Sequence, residues 1–336
     1  MRWIELTVWF VAAATCSTES TVSSHSAPTE TYLSASSQLR IPRRPFADGA
    51  FACFARGDRV ACMDEAVITL QLPADHIAQQ VHYLVSERRV FILTQEGALF
   101  VSDDLRTGSQ SVDVFEPTRG RSILDVAVGL SHVCVLTPLH RVACLGRNGW
   151  GQLGDGVRAH SATLREVQLA GVAEIVAAPN ATCARTEGQV YCWGKVYDSA
   201  QRVPREVHVG GRAREVDHGD GYFCALLADL TVSCWGLGSP VESADWTGGA
   251  IPQLSDVEQL VVSLVAVCGI DGDGRLICVP DPTTSEPGAS LLASDIDTAW
   301  AMGSDICWMA NMRTTCTELS PRTNLLTELT EGTALP

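Results

Sequence analysis

No Cys-x-x-Cys pair occurs in this chain, and no histidine stands at a regular distance from its cysteines. Zinc sites gather ligands at such close spacings, so the thirteen cysteines do not read as a metal-binding set. Long amphipathic helical patterns are missing as well, which points away from helical and mixed folds. The leading apolar run, Trp3 to Ala14, is too short for a permanent membrane-crossing helix. Basic residues are scarce: 24 Lys and Arg face 39 Asp and Glu, a net charge of −15. That charge repels phosphate backbones, so nucleic acid is excluded as an expected partner.

What the chain does contain is a repeated cysteine pair. Cys53/Cys62, Cys134/Cys144, Cys183/Cys192, Cys224/Cys234, Cys268/Cys278 and Cys307/Cys316 each enclose eight or nine residues. A seventh copy without cysteine runs from Phe91 to Val101, with apolar residues at both cysteine places. Repeats therefore start at 53, 91, 134, 183, 224, 268 and 307, spaced 38 to 49 residues apart, the blade length of a β-propeller.

The spacing also dictates local structure. Directly opposed residues of an antiparallel pair bring Cα atoms to about 4.5 Å, close enough for a disulfide. Eight enclosed residues then leave a two-residue turn at Gly57-Asp58, Glu187-Gly188 and Asn311-Met312. Nine leave a three-residue loop at 138–140, 228–230 and 272–274, and at 95–97 in the cysteine-free copy. Apolar segments upstream, Ile123 to Val128, Val172 to Ala177, Ala213 to Val216 and Gln259 to Val262, read as inner strands. The expected fold is all-β, a seven-bladed propeller with an intra-hairpin disulfide in six blades.

The most specific string is Gly146-Arg-Asn-Gly-Trp-Gly-Gln-Leu-Gly-Asp-Gly156, just before the fourth repeat. It resembles the signature of the regulator of chromosome condensation repeat family. Gly129-Leu-Ser-His132 resembles that family's Gly-x-x-His element, and Cys192-Trp-Gly194 and Cys234-Trp-Gly236 resemble its Trp-Gly strand ending. The resemblance covers roughly residues 45 to 320 and implies a seven-bladed propeller, with interblade turns rich in glycine and Trp193 and Trp235 wedged between sheets. Chromatin binding and nucleotide exchange, known for nuclear members, do not carry over to an acidic, disulfide-rich chain.

Dense disulfides require an oxidising compartment, and the N-terminus supplies an export signal over residues 1–16. Cys16 has no hairpin partner, and its setting resembles the lipid-attachment box of bacterial lipoproteins; cleavage after Ala14 and free secretion is the alternative. Residues 17–40 read as a Ser/Thr-rich tether, 41–325 as the propeller and 326–336 as a C-terminal tail. A membrane would be met only through a lipid on Cys16, and a monomer is expected.

Three groups resemble catalytic or metal motifs. Gly129-Leu-Ser131-His132-Val133 lacks the closing Gly of a nucleophile elbow, and its repeat register favours a structural role. Asp217-His218-Gly-Asp220 occupies the equivalent pre-hairpin turn. Asp271-Gly-Asp273-Gly274 begins like a calcium loop but lacks the later acidic ligand, so it reads as a hairpin loop. No metal, cofactor or catalytic constellation is expected. Trp246 and Trp150, large aromatics in Gly-flanked loops, are the candidate anchors for an unidentified protein partner. The leading expectation is an exported binding or inhibitory scaffold at the cell envelope without catalysis. The alternative is a glycan hydrolase or lyase using carboxylates of the propeller channel.

Overall fold

The cysteine pairs fold as the hairpins their spacing predicts. The computed structural model describes residues 52–318 except 64–66, 199, 238–245, 281–287, 303–304 and 312, together with 327–328. These form seven antiparallel sheets taken in chain order. The first holds Ala52–Arg56, Arg59–Met63 and Val67–Gln71; the second Ala78–Leu84, Arg89–Thr94, Leu99–Ser102 and Val112–Val114. The third holds Asp125–Val128, His132–Leu136, Val142–Gly146 and Ser161–Glu166; the fourth Glu174–Ala178, Ala181–Arg185, Val190–Gly194 and Gln201–Val207. The fifth holds Ala213–His218, Tyr222–Leu227, Val232–Gly236 and Gly249–Ala250; the sixth Val257–Val262, Ala266–Asp271, Leu276–Pro280 and Ser290–Ala293. The seventh holds Thr298–Met302, Asp305–Ala310, Arg313–Glu318 and Thr327–Glu328.

First strands of the second to seventh sheets pack against one another in succession, which makes them the inner strands of a seven-bladed propeller. The expected apolar segments supply four of them. Thr317 pairs with Glu328, so the last blade extends past the boundary expected at 325 and takes two residues of the tail. The export signal, Cys16 and the tether lie outside the described residues.

Cys134–Cys144, Cys183–Cys192, Cys224–Cys234 and Cys268–Cys278 are bonded, with Cα atoms 4.0–4.1 Å apart. Cys53 lies opposite Cys62, and Cys307 opposite Cys316, in the same register. In the second blade that register falls on Phe91 and Val101, as the cysteine-free copy predicts. Phe91 is buried and meets Phe115 edge to face at 5.0 Å, so packing takes the place of the covalent link.

The loops also follow the arithmetic. Thr94 N donates to Ala98 O, Thr137 N to Arg141 O, Leu227 N to Thr231 O and Asp271 N to Arg275 O, closing four three-residue loops. Each ends on a left-handed residue: Gly97, His140, Leu230 and Gly274, with φ from 56° to 80°. In the non-glycine case of His140, Nδ1 bonds to Val172 O at 2.8 Å and offsets part of the conformational cost.

Between blades the apolar faces interdigitate. Trp193 is fully buried with Ala127, Leu136 and Leu153 of the third blade and Ile175 and Ala184 of its own. Trp235 fills the corresponding place between the fourth and fifth blades. Both are the wedges the strand endings implied.

Candidate functional site

The signature string joins the third and fourth strands of one blade and is not the interblade turn the sequence suggested. Its buried centre is Asn148, whose Nδ2 donates to Asp155 Oδ1 at 3.1 Å, Val157 O at 3.1 Å and Ala159 O at 3.2 Å. Asn148 Oδ1 accepts from Leu153 N at 3.0 Å. One amide thus closes the loop from both sides: its two N–H donors serve three oxygens, one hydrogen being shared between two of them, and its oxygen accepts from Leu153.

Two further contacts fasten this loop to the fourth blade. Gln152 O accepts from Trp193 Nε1 at 2.8 Å and from Thr182 Oγ1 at 3.1 Å. Gly151, at φ 82°, lies so close to the outer strand that a Cβ there would sit 2.8 Å from Gln201 O. Gly156 N donates to Arg202 O at 3.0 Å. The loop therefore covers part of an edge strand that Pro204 already makes a poor template for further pairing.

This construction holds Trp150 at the surface. It is 40% exposed, its backbone N–H donates to Gln152 Oε1 at 3.0 Å, and Lys195 Nζ lies 4.8 Å from the ring centroid. Val157 on the same loop and Val203 on the outer strand, whose Cγ1 lies 3.8 Å from where a Gly156 Cβ would be, are 49% and 43% exposed. Trp246 takes a different position: it is 5% exposed, meets Tyr197 at 5.4 Å and has the Arg205 guanidinium over its ring at 4.8 Å. Its polar, Gly-flanked sequence suggests an exposed anchor, but Val209 and Tyr197 of the fourth blade enclose it, so its place is in the core.

His132 is a structural histidine. Thr182 Oγ1 donates to Gln152 O, so it accepts from His132 Nε2–H at 2.9 Å and fixes that tautomer. A Cβ on Gly129 would meet the ring at 2.2 Å, which explains the glycine. Tyr222 occupies the equivalent place, with Gly219 under its ring and its hydroxyl donating to Ser263 O at 2.8 Å. Burial pushes the His132 pKa from 6.5 down to about 3. The unfolded chain therefore gains a proton below pH 6.5 that the folded state refuses until about pH 3. This contribution to stability is complete above pH 6.5 and shrinks by about 1.4 kcal/mol per unit as pH falls through that window. Urea titrations at pH 7, 5.5 and 4.5 should show a steeper loss for the native protein than for His132→Gln; equal slopes would refute it.

The other motif-like groups are occupied by the fold. Asp217 Oδ2 accepts from Val262 N of the next blade at 3.2 Å, while His218 Nδ1 meets Gly219 O at 3.2 Å. Asp271 closes its hairpin by accepting from Asp273 N and Arg275 N, both at 3.0 Å, and pairs with Arg275 at 2.7 Å. Those bonds outweigh burial and hold its carboxyl below the usual range.

A polar layer runs around the inner strands at one register: Gln80, Asp125, Glu174, Glu215, Gln259 and Thr298. Gln80 Nε2 donates to Asp125 Oδ1 at 2.9 Å, and Asp125 Oδ2 accepts from Ile175 N at 3.1 Å. Glu174 Oε2 accepts from Val216 N at 3.2 Å, and Gln259 Nε2 donates to Ala299 O at 2.7 Å. Asp125, Glu174 and neighbouring Asp217 are thus acceptors for the next inner strand. Sequence reading missed this layer because nothing local marks these carboxylates among 39. It also missed Lys195 and Arg202 as neighbours of Trp150, although Lys195 stands out as the only lysine in the chain.

Among the described residues, no helix is long and apolar enough to cross a membrane. No protein-family model and no curated protein matches the chain. Among solved structures, human WBSCR16 superposes with a TM-score of 0.63 at 17% identity, over 78% of this chain and 85% of that one. Prp20p from Saccharomyces cerevisiae does so with a TM-score of 0.61 at 12% identity, over 77% and 80%. The CRINKLY WD40 ectodomain of the Arabidopsis thaliana receptor kinase ACR4 gives 0.55 at 17% identity, over 82% and 96%. Identities this low speak for architecture alone. With seven blades and these neighbours, the fold is a seven-bladed β-propeller, and what it shares with Prp20p, the yeast RCC1, is that architecture.

Proposed function

We propose that this chain is an exported propeller that binds a protein partner and performs no catalysis. The observation that carries the reading is Trp150: a large aromatic, exposed on a loop that buried hydrogen bonds and two close-packed glycines hold rigid. Rigid exposed tryptophans supply binding area at low entropic cost and are favoured interface anchors. A fold precedent for binding exists, since Prp20p is described with binding properties toward Gsp1p and histones. Buried disulfides support an oxidising compartment, and export to a bacterial envelope or medium is the reading that places the chain in one. The catalytic alternative loses ground because Asp125, Glu174 and Asp217 already serve as backbone acceptors.

Replacing Trp150 by alanine should abolish retention of the partner on immobilised protein while lowering the thermal midpoint by no more than about a few degrees, because the residue is 40% exposed and not part of the core. Trp246→Ala serves as the contrast, lowering stability through its core position. Undiminished partner retention by Trp150→Ala would refute this site.

A further inference from the structure

Lys195 lies over the Trp150 ring and Arg202 packs by the adjoining Gly151, cations on a molecule of net negative charge. Between Arg141 and Arg214 the chain carries ten Lys and Arg against six Asp and Glu, while the remainder carries fourteen against thirty-three. Several arginines are matched locally, inside that stretch as well as outside it: Arg106 with Asp104, Arg119 with Glu116, Arg141 with Glu166, Arg185 with Glu174 and Arg275 with Asp271. Arg158, Lys195 and Arg202 make no ion pair among the described residues. Lys195 sits over the Trp150 ring at 4.8 Å, and the Arg202 Cγ lies 3.0 Å from where a Gly151 Cβ would be. Arg158 follows exposed Val157 on the same loop, and Val203 follows Arg202 on the adjoining strand.

Resting on the reading that this surface binds a protein, we propose that the partner presents an acidic segment with an apolar residue, seated on Trp150, Val157 and Val203 and gripped by Arg158, Lys195 and Arg202. Charge complementarity selects this occupant. Unpaired cations beside an aromatic attract carboxylates, and the apolar side chains between them give area that a sulfate or phosphate chain cannot use. A long polyanion would also run onto the acidic remainder of the molecule, whereas a short acidic segment would not.

The test uses the disulfide-intact protein and an N-acetylated, fluorescein-labelled Asp/Glu-rich peptide with a central Leu, compared with its Lys/Arg counterpart and with heparin. Anisotropy should show saturable binding of the acidic peptide alone, weakened about tenfold by Lys195→Glu with Arg202→Glu and progressively weakened by salt. A water-soluble carbodiimide should join a peptide carboxylate to Lys195, located by peptide mapping. Lys195→Arg should remove that crosslink and keep the affinity. Equal binding by the charge-reversed variant, preference for the basic peptide, or heparin displacing the peptide with no effect of Trp150→Ala would each overturn the proposal. So would dimers that dissolve on charge reversal, because the acidic occupant would then be a second copy. If Trp150→Ala loses the native partner while charge reversal does not, the protein-binding reading stands and the acidic segment falls.

Discussion

Alanine in place of Trp193 is expected to lower the unfolding free energy by about 4 kcal/mol. The indole is fully buried between the third and fourth blades, and its removal leaves a cavity lined by Leu136, Leu153, Ile175 and Ala184. The hydrogen bond to Gln152 O contributes less, because Thr182 Oγ1 still satisfies that carbonyl. Trp193→Phe should therefore recover more than half of the loss. Urea unfolding followed by circular dichroism reads both variants. A loss below about 1 kcal/mol for the alanine variant would show that the seam closes over the gap and that the wedge does not hold the blades. A reduced denaturant slope would show the two blades parting before the rest.

Loss of the disulfides is the second large effect. Closing a ten-residue loop stabilises by about 2.5 kcal/mol in the chain-entropy model, so the four bridges described amount to about 10 kcal/mol, comparable with a whole domain's net stability. Cys183→Ala with Cys192→Ala should lower stability by about 2.5 kcal/mol. Full reduction in denaturant should then prevent refolding until an oxidant is restored. The bonded sulfurs are buried, so a reductant should act slowly on the native protein and fast once urea opens it. The effect falls on the unfolded chain, since the backbone ladder already holds each pair in register. Refolding of the reduced protein at its oxidised yield would refute this account.

Hairpins were legible because their geometry is local. Nine residues between cysteines leave room for one loop class, and Thr137 pairing with Arg141 around a left-handed His140 is that class. The wedge tryptophans were legible through repetition, since the same Cys-Trp-Gly ending occurs in two blades. The buried place of Trp246 is not legible in the sequence because its covering residues, Tyr197, Arg205 and Val209, come from the preceding blade and leave no mark on its own segment. The basic surroundings of Trp150 were hidden for the same reason. Lys195 and Arg202 lie more than forty positions downstream, and only the packing of Gly151 and Gly156 against the next outer strand brings them alongside. Composition pointed the other way, because an overall charge of −15 conceals a basic sector.

The inner-strand clasps all point in one direction. Gln80 reaches Asp125, Asp125 receives Ile175, Glu174 receives Val216, Asp217 receives Val262, and Gln259 holds Ala299; in every case the side chain belongs to the earlier blade and its partner to the later one. A chain that emerges N-terminus first thus presents, at each finished blade, an open acceptor or amide waiting for the strand synthesised next. These clasps therefore fit an assembly that runs in chain order, in which each leading blade would template the following one. A break late in the chain should spare the earlier blades, whereas a break near the start removes the template on which every later blade docks.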